Sequence, residues 1–305
     1  MATSADVMGC LPRATLGGGL FRATYAAAVV LGRIYPRLAR PALLKLWFTP
    51  WVHPSALAPI TDVPTGVDSW SLPVDGATLR GYAGGAGRTV VLVHGWSGSA
   101  ADWRHLAGDL IAAGWRVVVP DLPAHGMTAG RQTDLFVLGR ALAAVLGRER
   151  PEGVVTHSMG FPATMLALED GAPAPRQIVA LAPGRKIVRA IDGFVQRASL
   201  APRLVDELRR GIQRRYGDDV WDVLDVDRVV ADLTPAGVVI HDADDDEVPL
   251  DDGRHIAATW PGARLIETSG FGHRRILRDG TVRRLVVEAL DRETAVPRPI
   301  KHTQG

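Results

Sequence analysis

Two runs of branched aliphatic residues constrain this chain more than anything else in it. Val90-Val91-Leu92-Val93 and Val117-Val118-Val119 are apolar at every position rather than at alternate ones. A strand with no polar face is buried on both sides, which places it inside a mostly parallel sheet covered by helices. The surroundings agree. Short β-rich runs recur at Trp70–Val74, Leu79–Ala83, Val90–His94, Arg116–Pro120, Gly153–Thr156, Gln177–Leu181, Val238–His241 and Ala263–Glu267. Helical stretches fall near residues 100–113, 133–147, 159–169, 251–259 and 280–291. Alternation of this kind predicts an α/β domain with a mostly parallel central sheet and helices on both faces, here over residues 61–305. One interval breaks the rhythm. Residues 184–235 contain no good strand but have helical spacing at Leu204–Ile212 and Asp219–Leu224, which predicts a small helical lid inserted between two strands. Its apolar groups Phe194, Leu200, Leu204 and Trp221 are expected to line an apolar substrate pocket.

Composition excludes several classes. With 47% hydrophobic and 22% charged residues the chain is neither a disordered tail, a collagen-like fibre nor a coiled coil. A net charge of +2 demands no nucleic-acid partner. A single cysteine, Cys10, forbids an internal disulfide and a multi-cysteine zinc site, so nothing points to an oxidising compartment and a cytoplasmic location is expected.

The N-terminal segment, residues 1–60, is apolar and basic, with six basic groups against one acid, Asp6. Its longest uncharged run before Phe48, Ala23 to Gly32, is ten residues and too short to cross a bilayer. Arg22 interrupts the apolar stretch and argues against a secretory signal. Two helices, about 20–35 and 37–48, are expected on either side of Pro36. Three readings stand: packing against the main domain, which is favoured; peripheral contact of residues 14–48 with an anionic membrane; and disorder.

The residues that bear chemistry sit at strand ends. Gly153-Val154-Val155-Thr156-His157-Ser158-Met159-Gly160 runs from a strand into a helical stretch. A serine on so tight a turn has its hydroxyl pushed clear of the backbone, with its neighbours at a helix N-terminus. Small residues are needed two positions to either side, where strand and helix backbones approach. Gly160 meets that need and Thr156 meets it less well, which leaves either a wider turn or strain.

At this point the sequence resembles the α/β-hydrolase family, whose usual elbow is Gly-x-Ser-x-Gly. His94-Gly95-Trp96-Ser97-Gly98, after the first apolar strand, looks like the family's His-Gly oxyanion loop. Asp121-Leu122-Pro123-Ala124-His125-Gly126 resembles its Asp-x-Pro-x-His-Gly turn, with His125 structural. Family members commonly read His-Gly-x-x-Asp-x-x-Val-Pro where this chain has His241-Asp242-Ala243-Asp244-Asp245-Asp246-Glu247-Val248-Pro249, which places the acid on Asp245. Gly270-Phe271-Gly272-His273 resembles the loop that delivers the histidine. The resemblance covers roughly residues 66–293 and implies the α/β-hydrolase fold.

It also implies a mechanism: Ser158 as nucleophile, His273 as general base and Asp245 as the acid that fixes its tautomer. The backbone N–H groups of Trp96 and Met159 form an oxyanion hole, with His94 and Gly95 supporting that loop. An aspartate nucleophile would suggest dehalogenase or epoxide hydrolase chemistry; Ser158 argues against both. An EF-hand starting at Asp242 would need glycine at 247 and glutamate at 253, and the chain has Glu247 and Gly253, so calcium is not expected. No cofactor or metal is required. Asp244 and Asp246 are the runners-up for the acid; with Asp245 in that role, Asp242, Asp244 and Asp246 are expected to be exposed carboxylates of little consequence. The expected activity is hydrolysis of a carboxylic ester of an apolar small-molecule acyl group. Thioesterase, lactonase or acyltransferase activity on the same residues, or a binding protein without catalysis, are the alternatives.

Overall fold

The computed structural model of the protein describes residues 25, 26, 29, 30, 32, 34–50 and 66–292, except Ser199. Eight strands form one sheet: β1 (Val67–Val74), β2 (Ala77–Gly84), β3 (Arg88–Val93), β4 (Trp115–Asp121), β5 (Gly153–His157), β6 (Gln177–Leu181), β7 (Ala236–Asp242) and β8 (Arg264–Thr268). Their order is β1-β2-β4-β3-β5-β6-β7-β8. Pairings of β2 with β1 and β4 are antiparallel; all others are parallel.

The uniformly apolar strands serve two cores at once. Val91, Val93 and Val118 belong to one, while Val90, Leu92, Val117 and Val119 belong to the other. Each fully buried aliphatic side chain contributes about 1.5–3 kcal/mol, so the central strands hold both layers of helices. One layer holds α3 (Leu135–Glu149) and α4 (Gly160–Glu169), which present Leu138, Leu142 and Phe161. The other holds α2 (Arg104–Ala112) and α11 (Gly280–Asp291), which present Leu106, Leu110, Val286 and Leu290. Helix α9 (Leu250–Thr259) and the single turn α10 (Gly272–Arg275) flank β8 in sequence.

Between β6 and β7 lie α5 (Ile187–Arg197), α6 (Leu204–Tyr216), α7 (Val220–Val223) and α8 (Asp227–Val230). The N-terminal α1 (Pro36–Trp47) packs on α6 through buried Ala39, Leu43 and Leu46. Pro36 is not a spacer between helices but the first residue of α1, where a missing N–H is tolerated. Tyr25, Ala26, Val29, Val30, Gly32 and Ile34 are helical ahead of it.

This packing corrects one expectation about the insert. Leu204 meets the backbone of Gly32, where a Cβ would lie 2.6 Å from its Cδ1, and Phe194 meets Trp47 edge-on at 5.4 Å. Leu200 is in the core. An amphipathic pattern marks a face that will be covered; here the N-terminal helices cover Leu204 and Phe194.

Candidate active site

The turn after β5 is tight. Ser158 has φ of 51°, in the left-handed region that costs a non-glycine residue about 1–3 kcal/mol. The turn is held by the Ser158 N–H on the Leu181 carbonyl (3.0 Å) and the Phe161 N–H on the Ser158 carbonyl (3.1 Å). Glycine is required at 160, because a Cβ there would lie 2.7 Å from the Val93 oxygen and 2.8 Å from that of His94. Thr156 stands where the usual pattern has glycine. It is fully buried on β5 and its hydroxyl has no partner among the described residues.

His273 sits on α10 rather than on an open loop. Its Nε2 is 2.9 Å from Ser158 Oγ and its Nδ1 is 2.8 Å from Asp245 Oδ2. A carboxylate only accepts, so in the neutral ring Nδ1 carries the proton and Nε2 is left to accept from the serine hydroxyl. The second oxygen of Asp245, Oδ1, accepts the N–H groups of Glu247 (2.9 Å) and Val248 (2.8 Å). His241 Nε2 lies 3.0 Å from the Val248 oxygen and 3.4 Å from Asp245 Oδ2. Burial alone would raise the Asp245 carboxyl, but hydrogen bonding from His241 and His273 outweighs it and holds the group well below the usual carboxylate range.

The loop after β3 lies against the serine. A Cβ on Gly95 would be 3.0 Å from Ser158 Cβ. His94 Nε2 accepts the Leu122 N–H at 3.0 Å, so its proton is on Nδ1 and is donated to the Gly95 carbonyl at 2.8 Å. Gly98 N–H donates to that same carbonyl at 3.1 Å. A trans peptide sets C=O and N–H on opposite sides, so fixing the Gly95 carbonyl also fixes the direction of the Trp96 N–H. Among the described residues, neither the Trp96 nor the Met159 N–H has an acceptor.

Two other histidines hold the frame. His125 Nε2 accepts the Ser97 N–H (3.1 Å) and its Nδ1 donates to the Pro123 carbonyl (2.9 Å). Burial, then the nearby His94, pushes His125 down to about 3, so it stays neutral. His157 donates from Nε2 to the backbone carbonyl of His273 at 2.8 Å. Burial first, then the His273 ring, keeps His157 far below the ordinary histidine range.

Asp242 overturns its expectation as an exposed neighbour. It is fully buried and accepts from the Thr268 hydroxyl (2.8 Å) and the backbone N–H groups of Asp244 (3.1 Å), Phe271 (3.2 Å) and Gly272 (2.9 Å). Burial raises its carboxyl, and those donors together bring it below the usual range. Asp242 therefore grips the residues immediately before His273. Asp244 and Asp246 are exposed, as expected. The only local signal for Asp242 was an aspartate where the related pattern carries glycine. Among the described residues, no three His, Cys, Asp or Glu side chains converge as a metal set.

Residues 90–303 match the model of the alpha/beta hydrolase family. The chain is 28% identical over 69 residues to an epoxide hydrolase from Caballeronia sordidicola, a match covering 23% of this chain and 21% of that relative. Among solved structures it is similar to an esterase from Rhodococcus sp. ECU1013 (TM-score 0.54, 19% identity, 74% of this chain and 100% of that one). It is also similar to an esterase from Pyrococcus furiosus (TM-score 0.57, 18% identity, 73% of this chain and 90% of that one). At such identities the solved structures speak to the fold.

Proposed function

The chain belongs to the alpha/beta hydrolase family, and from that premise we propose that it is a serine hydrolase cleaving carboxylic esters through an acyl-enzyme. The observation that carries this reading is the chain of hydrogen bonds from Ser158 through His273 to Asp245, 2.9 Å and 2.8 Å long. Ser158 Oγ attacks the ester carbonyl carbon while its proton passes to His273 Nε2. The carbonyl electron pair becomes an oxyanion that accepts from the Trp96 and Met159 N–H groups. Its collapse breaks the bond to the alkoxy oxygen, which leaves as the alcohol with the proton from Nε2. Water then attacks the acyl-enzyme with the same histidine as base, releasing the acid and restoring Ser158. Asp245 keeps Nδ1 protonated throughout and stabilises the imidazolium when it forms.

The similarity to an epoxide hydrolase does not redirect this reading. A carboxylate nucleophile would be expected for that chemistry, and the elbow presents a serine. Thioesters, lactones and acyl transfer to an alcohol remain chemically accessible to the same residues. We assign the helices between β6 and β7 the role of a lid, supported by the Gly184 N–H, at the start of that insert, donating to the Ser158 carbonyl at 3.3 Å. With Leu204 and Phe194 occupied by the N-terminal helices, preference for an apolar acyl chain rests on the remaining lid surface. No helix among the described residues is long and apolar enough to cross a membrane.

A panel of aryl esters, thioesters and lactones of graded chain length tests the reaction class. Esters should turn over fastest, and Ser158→Ala should abolish turnover with an unchanged circular dichroism spectrum. Near-wild-type ester hydrolysis by that variant would rule the acyl-enzyme out.

A further inference from the structure

The inner face of α1 is accounted for by α6, but the outer side of its first turn and of the residues just ahead of it is not. Val30, Ile34, Tyr35 and Leu38 are large apolar side chains that are 57–64% exposed, clustered within nine residues. Monomeric soluble proteins seldom leave such groups together without a partner. Pro41 and Lys45 continue the exposed side of α1 beyond Leu38.

At Arg37 this apolar patch adjoins a strongly basic cleft. The cleft, about 580 Å³, lies between α1 and α6 and is lined by Arg37, Arg40, Glu207, Arg210 and Arg214. Glu207 is buried and neutralised by Arg40, whose guanidinium donates at 2.6 Å, and by Arg210 at 2.7 Å. Arg37 and Arg214 have no carboxylate partner among the described residues. Four guanidinium groups thus face one carboxylate. On the α1 side the chain adds no acid, since no Asp or Glu occurs from Val7 to Thr61, while on the α6 side Asp206 and, after Arg214, Asp218 and Asp219 are exposed and do not line the cleft.

Apolar side chains beside unneutralised arginines have one well-matched partner: a bilayer surface carrying anionic headgroups. There the apolar groups enter the acyl boundary while the arginines meet phosphates. We propose that the outer face of the helices through Val30, Ile34, Tyr35 and Leu38, with the cleft of Arg37 and Arg214, docks this enzyme on anionic phospholipid membranes. The same helices cover the insert proposed as the lid, so docking sets the site's surroundings at the lipid surface.

The test is sedimentation of the full chain with vesicles of equimolar phosphatidylglycerol and phosphatidylcholine, against vesicles of phosphatidylcholine alone. A basic residue near such a surface is worth about 1 kcal/mol, roughly fivefold in partitioning. Arg37→Gln with Arg214→Gln should therefore weaken binding to the anionic vesicles roughly 25-fold. Ile34→Ser with Leu38→Ser should weaken it as well, with melting curves verifying that both double variants fold. Equal partitioning onto the two vesicle types, or wild-type binding by the double variants, overturns the proposal. So does either of two alternative occupants. One is a soluble anion, seen as binding of inorganic phosphate that Arg37→Gln removes and Ile34→Ser spares, with no vesicle binding. The other is a second copy of the chain, seen as a dimer that Leu38→Ser dissociates.

Discussion

Asparagine at 245 replaces one carboxylate oxygen with an NH2 group and should nearly silence the site. Oδ1 of Asp245 is committed to the N–H groups of Glu247 and Val248 at 2.9 and 2.8 Å, so an asparagine keeps its carbonyl oxygen there. Its NH2 then occupies the place of Oδ2, 2.8 Å from His273 Nδ1. A donor facing Nδ1 forces that nitrogen to accept, and the ring proton moves to Nε2. Nε2 is 2.9 Å from Ser158 Oγ and must be bare to take the serine's proton. Holding the imidazole in this tautomer lowers kcat by about 10³–10⁴, or roughly 4–5.5 kcal/mol of transition-state stabilisation. Steady-state kinetics of Asp245→Asn on one activated aryl ester measure this, with an active-site titration separating slow turnover from loss of folded enzyme. A kcat within tenfold of wild type would refute the tautomer argument and the assignment of Asp245 with it.

Asp242→Asn should lower kcat by about 10- to 100-fold and destabilise the chain by roughly 1.5–3 kcal/mol, the range for hydrogen bonds to a charged group; Asp244→Asn and Asp246→Asn should stay within tenfold, and a kinetic comparison of the three decides it. Histidines kept neutral by burial impose a pH dependence. His125 and His157 have folded pKa values below their unfolded ones, so in acid the unfolded chain takes up protons that the folded chain refuses. Stability is then lost as pH falls below about 6.5, at roughly 1.4 kcal/mol per pH unit for each group. Urea titrations from pH 7 to 5 should show His125→Gln with a slope shallower by about that amount, and an unchanged slope would count against it. Gly160→Ala should cost about 1–3 kcal/mol by overpacking, and activity should fall further because the strand end it displaces carries His94 and Gly95; an active, wild-type-stable variant would contradict the close approach.

The sheet was legible because strands buried on both faces leave an unmistakable pattern, and Val90–Val93 is entirely buried. The place of Asp245 beside His273 was legible through its register to Val248, whose N–H it accepts. What was not legible depends on distant partners. Asp242 sits in an acidic run that reads as solvated, and beyond the local Asp244 N–H its donors come from Thr268, Phe271 and Gly272, 26 to 30 residues away. His157 supports His273 across 116 residues of sequence, a contact no local pattern encodes. Phe194 and Leu204 were expected to line a substrate pocket and instead meet Trp47 and Gly32, because spacing marks a face that will be covered without naming what covers it.

The central claim is that Ser158 is a nucleophile activated by His273. Reaction with a serine-directed fluorophosphonate, followed by peptide mass spectrometry, tests it most directly. A single adduct on the peptide containing Ser158, formed much more slowly in His273→Ala and absent in Ser158→Ala, is the predicted result. An unlabelled protein, or an adduct on another residue that survives Ser158→Ala, would contradict it.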